Sequence, residues 1–228
     1  MKKGFYIMIR FILLVLFVVL FLVCSIPLLI AEYIIGKFNM DFKNRSSLAI
    51  VKWAFRGCLW ITGVEITVIG EENVPKDRPV LYIGNHRSYF DILMTYIRVP
   101  RPTGYIAKKE MLRYPLLKNW MKYPHCLFLD RKDIKQGMKT ILEGIEKINS
   151  GISICIFPEG TRNKVNDTFL PFHEGSFKIA EKTGCPIIPM SINNAAAIFE
   201  DHLPLIKKAH VILEYGKPVY MSEMTREE

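Results

Sequence analysis

A histidine and an aspartate five residues apart are the side chains of this sequence best suited to chemistry. They are His86 and Asp91, the two ends of the stretch HRSYFD. An imidazole titrates close to neutral pH, so His86 can take a proton from a hydroxyl group. A carboxylate beside the imidazole can hold its tautomer and stabilise the imidazolium that forms. These residue types predict general-base catalysis.

The spacing of this pair requires a bend in the chain. On one continuous helix, residues five apart lie roughly 140° apart around the axis, so the two side chains would not meet. The apolar run 80–83 predicts a buried strand, and residues 92–97 continue as a helix. Ser88 is a good N-cap, and Asp91 three residues later completes an approximate capping box. His86 then lies in the loop, although a loop histidine before a capping aspartate is also a common structural arrangement.

Length and composition limit the possible functions. With 228 residues, half of them hydrophobic, the chain can form one sizeable α/β domain and an appendage. A net charge of +9 suits nucleic acid, anionic lipid or phosphorylated substrates. Because no zinc-finger spacing or long basic run is present, lipid is favoured over nucleic acid. The five widely spaced cysteines predict buried thiols in a reducing compartment, not a disulfide framework or a metal site.

Residues 11–30 contain no formally charged side chain. As a helix, such a segment is about 30 Å long, the hydrocarbon thickness of a bilayer, so we expect it to be embedded in a membrane. A cleaved signal peptide is the alternative, but its apolar region would be about half as long. Basic residues on the two sides of the segment nearly balance, so the charges do not fix its orientation.

A second helix follows and leaves two membrane arrangements open. Pro27 can kink the apolar segment, and residues 48–61 resemble an amphipathic helix. This helix carries basic and aromatic side chains that suit the headgroup region, among them Lys52, Trp53 and Trp60. A helical hairpin inserted from one face is therefore as plausible as a true span.

After about residue 65, strand-like and helix-like segments alternate with short joins, which is typical of an α/β fold. We predict a membrane-associated helical segment at residues 1–65 and an α/β domain at residues 66–228, with a mostly parallel or mixed sheet flanked by helices. The segment CPIIPM, residues 185–190, predicts an edge strand because of its two prolines. The clearest helix, residues 133–149, has apolar residues at helical intervals that predict a core-facing stripe: Ile134, Met138, Ile141, Ile145 and Ile148.

The stretch FPEGTR, residues 157–162, follows a predicted strand. Open α/β sheets bind ligands at the carboxyl ends of their strands. Gly160 permits a close backbone approach, Thr161 offers a hydroxyl group, and Arg162 can hold a phosphate through two parallel hydrogen bonds. An ordinary turn with a surface ion pair is the alternative, and this motif alone favours that alternative.

Two other predicted strands also end in charged residues. Arg131 follows one of them, and Lys108 and Lys109 end the other. Each cluster alone is typical of a solvated strand end. Together they would bring three cationic groups beside His86, an arrangement that suits a phosphorylated acceptor.

Four blocks of the sequence, in this order, closely resemble the glycerolipid acyltransferase family, and within it the 1-acyl-glycerol-3-phosphate acyltransferases. The blocks are NHRSYFD at 85–91, FLDR at 128–131, FPEGTR at 157–162 and PIIP at 186–189. The resemblance covers about residues 60 to 220, and the first and third blocks are its most specific parts. The second block departs from the family pattern, because His125 and Cys126 stand where a glycine precedes the apolar residues.

The resemblance implies transfer of a fatty acyl group from an acyl-CoA or acyl-carrier-protein thioester to the free hydroxyl of lysophosphatidic acid. The product would be phosphatidic acid, in phospholipid biosynthesis. The thioester is a co-substrate, and no cofactor or metal is implied. By the same resemblance, His86 is the general base and Asp91 its orienting partner. Substrate-binding residues would be Lys108, Arg131, Glu159, Gly160, Thr161 and Arg162.

The chemistry of these residues agrees with such a reaction. Removal of the hydroxyl proton contributes about 10²–10⁴-fold to the rate. Donors that stabilise the tetrahedral oxyanion contribute about another 10²–10³-fold, and backbone amides at the start of the Ser88 helix are candidates. Direct transfer with His86 as base needs no covalent enzyme intermediate.

We therefore expect a membrane protein whose active site lies on the cytoplasmic face. Its expected partners are the lipid bilayer, lysophosphatidic acid and the acyl thioester, and not nucleic acid. The nearest alternative is the same chemistry on glycerol 3-phosphate or on a lysophospholipid with a head group. A non-catalytic protein that binds anionic lipid is a second alternative. A metal-dependent hydrolase is disfavoured because His86 and Asp91 belong to no regular ligand pattern.

Overall fold

The computed structural model of the chain describes residues 2–165 and 168–224, with side chains from residue 8 onward. Within these residues the α-helices are α1 (Lys2–Cys24), α2 (Ile26–Phe38), α3 (Met40–Thr62), α4 (Phe90–Tyr96), α5 (Pro115–Lys122), α6 (Ile134–Asn149) and α7 (Lys178–Thr183). The strands are β1 (Glu65–Ile69), β2 (Leu81–Gly84), β3 (Thr103–Lys108), β4 (Leu127–Leu129), β5 (Ser153–Ile156), β6 (Ile187–Asn193) and β7 (His210–Tyr215).

The strands of the described residues form one seven-stranded sheet in the order β1-β7-β6-β2-β5-β3-β4. In its centre β2 runs parallel to both β5 and β6, with Tyr82 opposite Cys155 and Ile188. β5 is in turn parallel to β3, and β3 to β4. The α/β architecture predicted from the alternation of elements is confirmed. Parallel pairing also places the carboxyl ends of β2, β5, β3 and β4 at the same end of the sheet.

By its packing the chain divides into two compact units, and each is discontinuous in sequence. The first unit contains the chain up to Thr67, with Arg87–Val99 and Ile192–Leu213. The second unit contains Val68–His86, Pro100–Ser191 and the chain from Glu214 onward. This division adds two later segments to the N-terminal helices, and the predicted domain boundary at residue 65 stays a prediction.

The apolar stretch 11–30 is divided between two helices of the first unit. α1 and α2 meet at Ser25 with a bend of 48°, and Pro27 lies in the first turn of α2. Proline is tolerated there because the first amides of a helix have no partner within it. No single helix of the described residues is long and apolar enough to cross a bilayer, whereas the bent pair of α1 and α2 meets that requirement jointly.

α3 packs against α1 and α2 within the first unit. The Asn39 side chain caps its start by accepting a hydrogen bond from the Phe42 amide at 2.9 Å. Bulky side chains lie on the outside of these helices, and Phe38 at the end of α2 and Trp60 on α3 are 87% and 84% exposed. The three helices also line an apolar cleft of about 640 Å³.

The core of the second unit is formed by strand residues together with side chains of α6 and α7. Every residue of β2 and β5 is buried, as expected of central parallel strands. α6 packs closely against α7 at Gly144, where an added Cβ would lie 2.6 Å from Cδ1 of Ile179. This close packing is possible because residue 144 has no side chain.

The predicted core stripe of α6 is wrong for its first two residues. Ile134 and Met138 are 83% and 64% exposed, whereas Ile148 is 4% exposed and the other two isoleucines pack against the core from partly buried positions. The buried face is centred on Gly144. At 3.6 residues per turn, Gly144 lies about 80° around the helix axis from Ile134. The face with the small residue, which fits against α7, is the one that is buried.

The segment with two prolines forms an interior strand, so the prediction of an edge strand is wrong. β6 lies between β7 and β2. Pro186 precedes the strand, and the carbonyl of Pro189 accepts a hydrogen bond from the amide of Gly216, the residue after β7, at 2.8 Å. The nitrogen and carbonyl of a strand residue point to the same side. The nitrogen of Pro189 therefore lies on the side of β6 where β7 has already ended. Its lack of an N–H removes no hydrogen bond between the two strands.

Before β4, where the family pattern has a glycine, the chain has His125. This residue has a φ of 66°, in the left-handed region, which glycine adopts most readily. Histidine is among the non-glycine residues found there more often than most. The position thus keeps the backbone conformation that a glycine would provide, and β4 still pairs with β3.

Candidate active site

The predicted site residues follow strands whose carboxyl ends lie together in the second unit. β2 and β5 are parallel neighbours with Ile83 opposite Ile156, so the segments after them leave the sheet side by side. β3 and β4 are also parallel, with Lys108 opposite Leu129. The four strand ends therefore lie at one end of the sheet, as predicted, and the expected position of the three cationic groups beside His86 stays a prediction.

His86 is held on three sides by the turn that follows β5. Its ring stacks on Phe157, with ring centroids 4.4 Å apart and planes 16° from parallel. Its amide donates a hydrogen bond to Oε1 of Glu159 at 3.0 Å. Its carbonyl accepts one from the Asn163 amide at 2.7 Å. Stacking and two backbone hydrogen bonds give the imidazole a fixed position, as a general base requires.

Asp91 lies in the first turn of α4 and holds the loop that leads into the helix. Its Oδ2 accepts hydrogen bonds from the amides of Arg87 and Ser88, both at 2.7 Å. The Ser88 hydroxyl in turn accepts one from the Phe90 amide at 3.1 Å. The bond from the Ser88 amide to Asp91 is one half of the predicted capping box. The other half is not formed, because the helix begins one residue later than predicted, with Tyr89 as its N-cap, and the Ser88 hydroxyl accepts from Phe90. The two residues directly after His86 therefore turn back toward Asp91, which is the bend that the spacing requires.

Four successive amides at the start of α4 already have acceptors. Two of them donate to Asp91, the Tyr89 amide donates to Oε1 of Glu200 at 2.8 Å, and the Phe90 amide donates to the Ser88 hydroxyl. Oxyanion stabilisation requires donors that point at the reacting group. The prediction that these amides bind the oxyanion is therefore wrong.

Glu200 is a residue of this loop that the sequence did not reveal. Its carboxylate accepts hydrogen bonds from the Ser88 hydroxyl at 2.7 Å and from the Tyr89 amide. It lies 112 residues after Ser88, and no motif or regular spacing connects the two. Such a pairing becomes visible only once the tertiary structure is known.

Glu159 is directed into the protein, with 4% of its surface exposed. One carboxylate oxygen accepts the hydrogen bond from His86, and the other accepts one from the Leu170 amide at 3.0 Å. Hydrogen bonds from amides to a carboxylate are strong, because the acceptor is charged. Glu159 thus fixes two separate backbone segments, and its predicted contact with the acceptor stays a prediction.

Gly160 leaves space between two side chains that can bind an anion. Its φ is 67°, which favours glycine. An added Cβ would lie 3.0 Å from Nε2 of His173 and 4.0 Å from Nε of Arg131. Partial burial lowers the pKa of the Arg131 guanidinium and Glu110 opposes this shift, but an arginine stays protonated. His173 is a second residue of the site that the sequence did not reveal.

The two lysines after β3 differ in their surroundings. Nζ of Lys109 lies 3.1 Å from Oδ2 of Asp130. The pKa of Asp130 is lowered by a hydrogen bond from the Lys132 amide and by Lys109. Lys108 is exposed, and its side chain has no hydrogen bond or ion pair with any part of the chain that the structure describes. Of the two, Lys108 is the one whose charge is available to a ligand.

The α/β part of the chain matches the model of a known protein family. Residues 65–193, more than half of the sequence, match the family model described as Acyltransferase. The chain belongs to the acyltransferase family. This assignment confirms the resemblance that the four sequence blocks carry, and all four blocks lie within the matched residues.

Named relatives of this acyltransferase agree with the assignment. Over 177 residues it is 33% identical to the 1-acyl-sn-glycerol-3-phosphate acyltransferase of Borreliella burgdorferi, a match that covers 78% of this chain and 67% of that protein. Over 185 residues it is 28% identical to the protein of the same name from Saccharomyces cerevisiae, covering 78% and 61%. The chain thus spans about two thirds of the length of these relatives.

The fold of this acyltransferase is similar to that of a protein with a crystal structure. The similar structure is the 1-acyl-sn-glycerophosphate (LPA) acyltransferase, PlsC, from Thermotoga maritima, with a TM-score of 0.83 and 23% sequence identity. The match covers 100% of this chain and 92% of that one. At this level of identity the likeness establishes the fold.

The remaining predicted site residues of this acyltransferase lie in the turn after β5. Thr161 is exposed, and Arg162 is half-buried two positions after Gly160. The turn continues to Asn163, which binds the His86 carbonyl. Asn163 is buried and was not among the predicted residues, although it directly follows the FPEGTR block. The structure therefore extends that block by one residue.

The thiols of this acyltransferase are mostly buried, as predicted, but Cys24 is exposed. Cys155, on β5, is buried, and this burial raises the pKa of its thiol far above the usual range. A cysteine attacks a thioester only as the thiolate. Cys155 is therefore a structural thiol of the sheet, not a carrier of the acyl group.

Proposed function

We propose that this chain transfers a fatty acyl group from an acyl thioester to the free hydroxyl of lysophosphatidic acid and forms phosphatidic acid. The observation that carries the proposal is the imidazole of His86, held in place by the turn after β5, which also contains an anion-binding position. Phe157 and Glu159 fix the histidine, and Gly160, the next residue, lies beside Arg131. A hydroxyl and a phosphate are the two groups that this acceptor presents.

The reaction proceeds by a single transfer. A ring nitrogen of His86 takes the proton of the acceptor hydroxyl while the oxygen attacks the carbonyl carbon of the thioester. The tetrahedral intermediate then collapses and the carbon–sulfur bond breaks. The leaving sulfur takes the proton from the imidazolium, so the products are an ester and a free thiol. The base contributes about 10²–10⁴-fold to the rate.

Asp91 and Glu159 are positioning residues in this mechanism. The carboxylate of Asp91 accepts hydrogen bonds from the amides of Arg87 and Ser88. Its role as the partner that orients the imidazole and stabilises the protonated form is the one that the family resemblance implies. Glu159 holds the histidine backbone. Arg131, Arg162 and Lys108 supply positive charge for the acceptor phosphate, and arginine can bind it through two hydrogen bonds.

We propose further that the enzyme works at a bilayer, on the cytoplasmic side. The acceptor and the product are lipids, and the first unit exposes many apolar side chains on α1, α2 and α3. The net charge of +9 suits an anionic leaflet. The acyl donor is a thioester of coenzyme A or of acyl carrier protein.

The proposal is tested by product analysis with purified protein. Lysophosphatidic acid, glycerol 3-phosphate and lysophosphatidylcholine are offered in turn with acyl-CoA or acyl carrier protein thioester, and products are identified by mass. We expect phosphatidic acid as the main product. His86→Ala should lower kcat by at least about 10²-fold, because the base is lost.

A matched variant separates loss of the base from loss of the fold. His210 also carries an exposed ring, which contacts Thr67 in the first unit, and His210→Ala should keep nearly full turnover. Near-normal transfer by His86→Ala would exclude the mechanism. Faster use of glycerol 3-phosphate than of lysophosphatidic acid would exclude the proposed acceptor but keep the chemistry.

A further inference from the structure

The backbone of His173 is fixed to the turn after β5. Its amide donates a hydrogen bond to the Pro158 carbonyl at 3.0 Å, and its carbonyl accepts one from the Ser176 amide at 2.9 Å. Pro158 is the residue directly before Glu159. The segment that carries His173 is therefore attached to the same turn that holds His86.

The ring of His173 lies against Gly160. Its Nε2 lies 3.0 Å from the point that a Cβ of Gly160 would occupy, and the residue is exposed. In the described ranges 2–165 and 168–224, no hydrogen bond or ion pair to this ring is found. An imidazole always offers at least one N–H donor, and two when it is protonated.

Arg131 approaches the same position from β4. Its Nε lies 4.0 Å from the point of the missing Cβ. Glu159, the acidic residue on this turn, accepts hydrogen bonds from backbone amides through both oxygens and forms no ion pair with Arg131 within the described residues. Glu110 acts on Arg131 only through its charge. An imidazole and a guanidinium thus flank a backbone position without a side chain.

We propose that His173, together with Arg131, binds the phosphate monoester of the acceptor over Gly160. This assignment rests on the proposed function. Donors on nitrogen that converge on an open position are the usual means of holding a phosphate. Gly160 contributes the space, because any side chain there would meet the His173 ring.

Coenzyme A is a second source of phosphate, and the position of the site favours the acceptor. In the donor, the phosphates lie at the far end of the pantetheine arm from the thioester. In lysophosphatidic acid, the phosphate and the attacking hydroxyl belong to one glycerol unit. A site on the turn that also fixes His86 fits the shorter separation, and kinetic constants for each substrate distinguish the two sources.

The test compares His173→Ala and His173→Lys with the wild type. With lysophosphatidic acid varied, we expect His173→Ala to raise KM by about 10- to 100-fold, the usual effect of losing a hydrogen bond to a charged group. kcat and the KM for the thioester should change by less than about threefold. His173→Lys, which keeps a cationic donor, should recover most of the affinity. His210→Ala serves as the control.

A binding measurement keeps this test independent of turnover. Glycerol 3-phosphate, which has the same phosphate monoester, is titrated into wild-type protein and into both variants by calorimetry. We expect its affinity to fall in His173→Ala by the same factor as KM rises. If the wild type binds glycerol 3-phosphate but transfers no acyl group, the proposed function fails and the phosphate site stands.

Three outcomes would overturn the assignment. One is an unchanged KM for lysophosphatidic acid in His173→Ala. Another is a rise in KM for acyl-CoA alone, which would assign the site to the donor. The third is an equal loss with monoacylglycerol as acceptor, because that molecule has no phosphate for His173 to bind.

Discussion

Two buried carboxylates with different tasks organise the residues around His86. One oxygen of Asp91 accepts hydrogen bonds from the amides of Arg87 and Ser88. The two oxygens of Glu159 each accept one hydrogen bond, from the amides of His86 and Leu170. A charged acceptor roughly doubles the strength of a hydrogen bond. The backbone on both sides of the histidine is therefore fixed by carboxylates.

The first residue-scale prediction concerns Glu159. In Glu159→Gln one oxygen is replaced by an NH₂ group, which cannot accept from the His86 or Leu170 amide. We expect kcat to fall by about 10- to 100-fold through displacement of His86, with KM for the acceptor within about threefold. The kcat and KM values of the purified variant check this.

Glu174→Gln is the control, because Glu174 is exposed in the short helix after His173. It should leave both constants nearly unchanged. If Glu159→Gln instead raised KM and kept kcat, Glu159 would be a contact of the acceptor, as the family resemblance implies, and the positioning role would be excluded.

At the scale of elements, α6 makes a prediction about stability. Ile148 is buried in the core of the second unit, and Ile134 is almost fully exposed on the same helix. Ile148→Ala should lower the free energy of unfolding by about 2–4 kcal/mol, through lost burial and a cavity. Ile134→Ala should change it by less than about 0.5 kcal/mol. Urea denaturation of both variants measures the difference.

The result would distinguish the observed orientation of α6 from the one that its apolar pattern predicts. In the predicted orientation both isoleucines belong to one core stripe, and both substitutions would be costly. Equal losses of stability for Ile134→Ala and Ile148→Ala would therefore contradict the structure.

Sequence patterns predicted most elements but not their partners. The alternation of apolar segments predicted strands close to β2, β3, β4 and β5, because each is a short run bounded by turn residues. The interior place of β6 depends on strand order, which a local pattern does not contain. The orientation of α6 depends on where α7 fits against Gly144.

In the candidate site, too, the sequence revealed local motifs but not the residues that contact them in the folded protein. His86, Asp91 and Gly160 stand in compact motifs, and the structure gives each a specific local environment. Glu200 contacts Ser88 across 112 residues of sequence, and His173 lies against Gly160 from outside the FPEGTR block, so no motif marks either residue. Residues that act on a site through tertiary contacts leave no spacing signal in a single sequence.

At the scale of the whole molecule, positive charge and exposed apolar side chains together predict binding to an anionic bilayer. The chain has 31 basic and 22 acidic residues, and its exposed apolar side chains include most of the outer surfaces of α1 and α2. Basic residues near a leaflet contribute about 1 kcal/mol each, and apolar side chains contribute more as they leave water. Binding should therefore weaken with added salt without being abolished by it.

The tryptophans provide an internal test of which surface meets the lipid. The chain has three, of which Trp53 and Trp60 are exposed on α3 and Trp120 is buried on α5. Single-tryptophan proteins are made by replacing the other two with phenylalanine and are bound to vesicles that contain brominated lipid. We expect the fluorescence of Trp60 to be quenched several-fold more strongly than that of Trp120, because bromine quenches on contact and an indole ring favours the bilayer interface. Equal quenching of both, or none at Trp60, would show that α3 does not face the lipid and that the membrane surface lies elsewhere on the molecule.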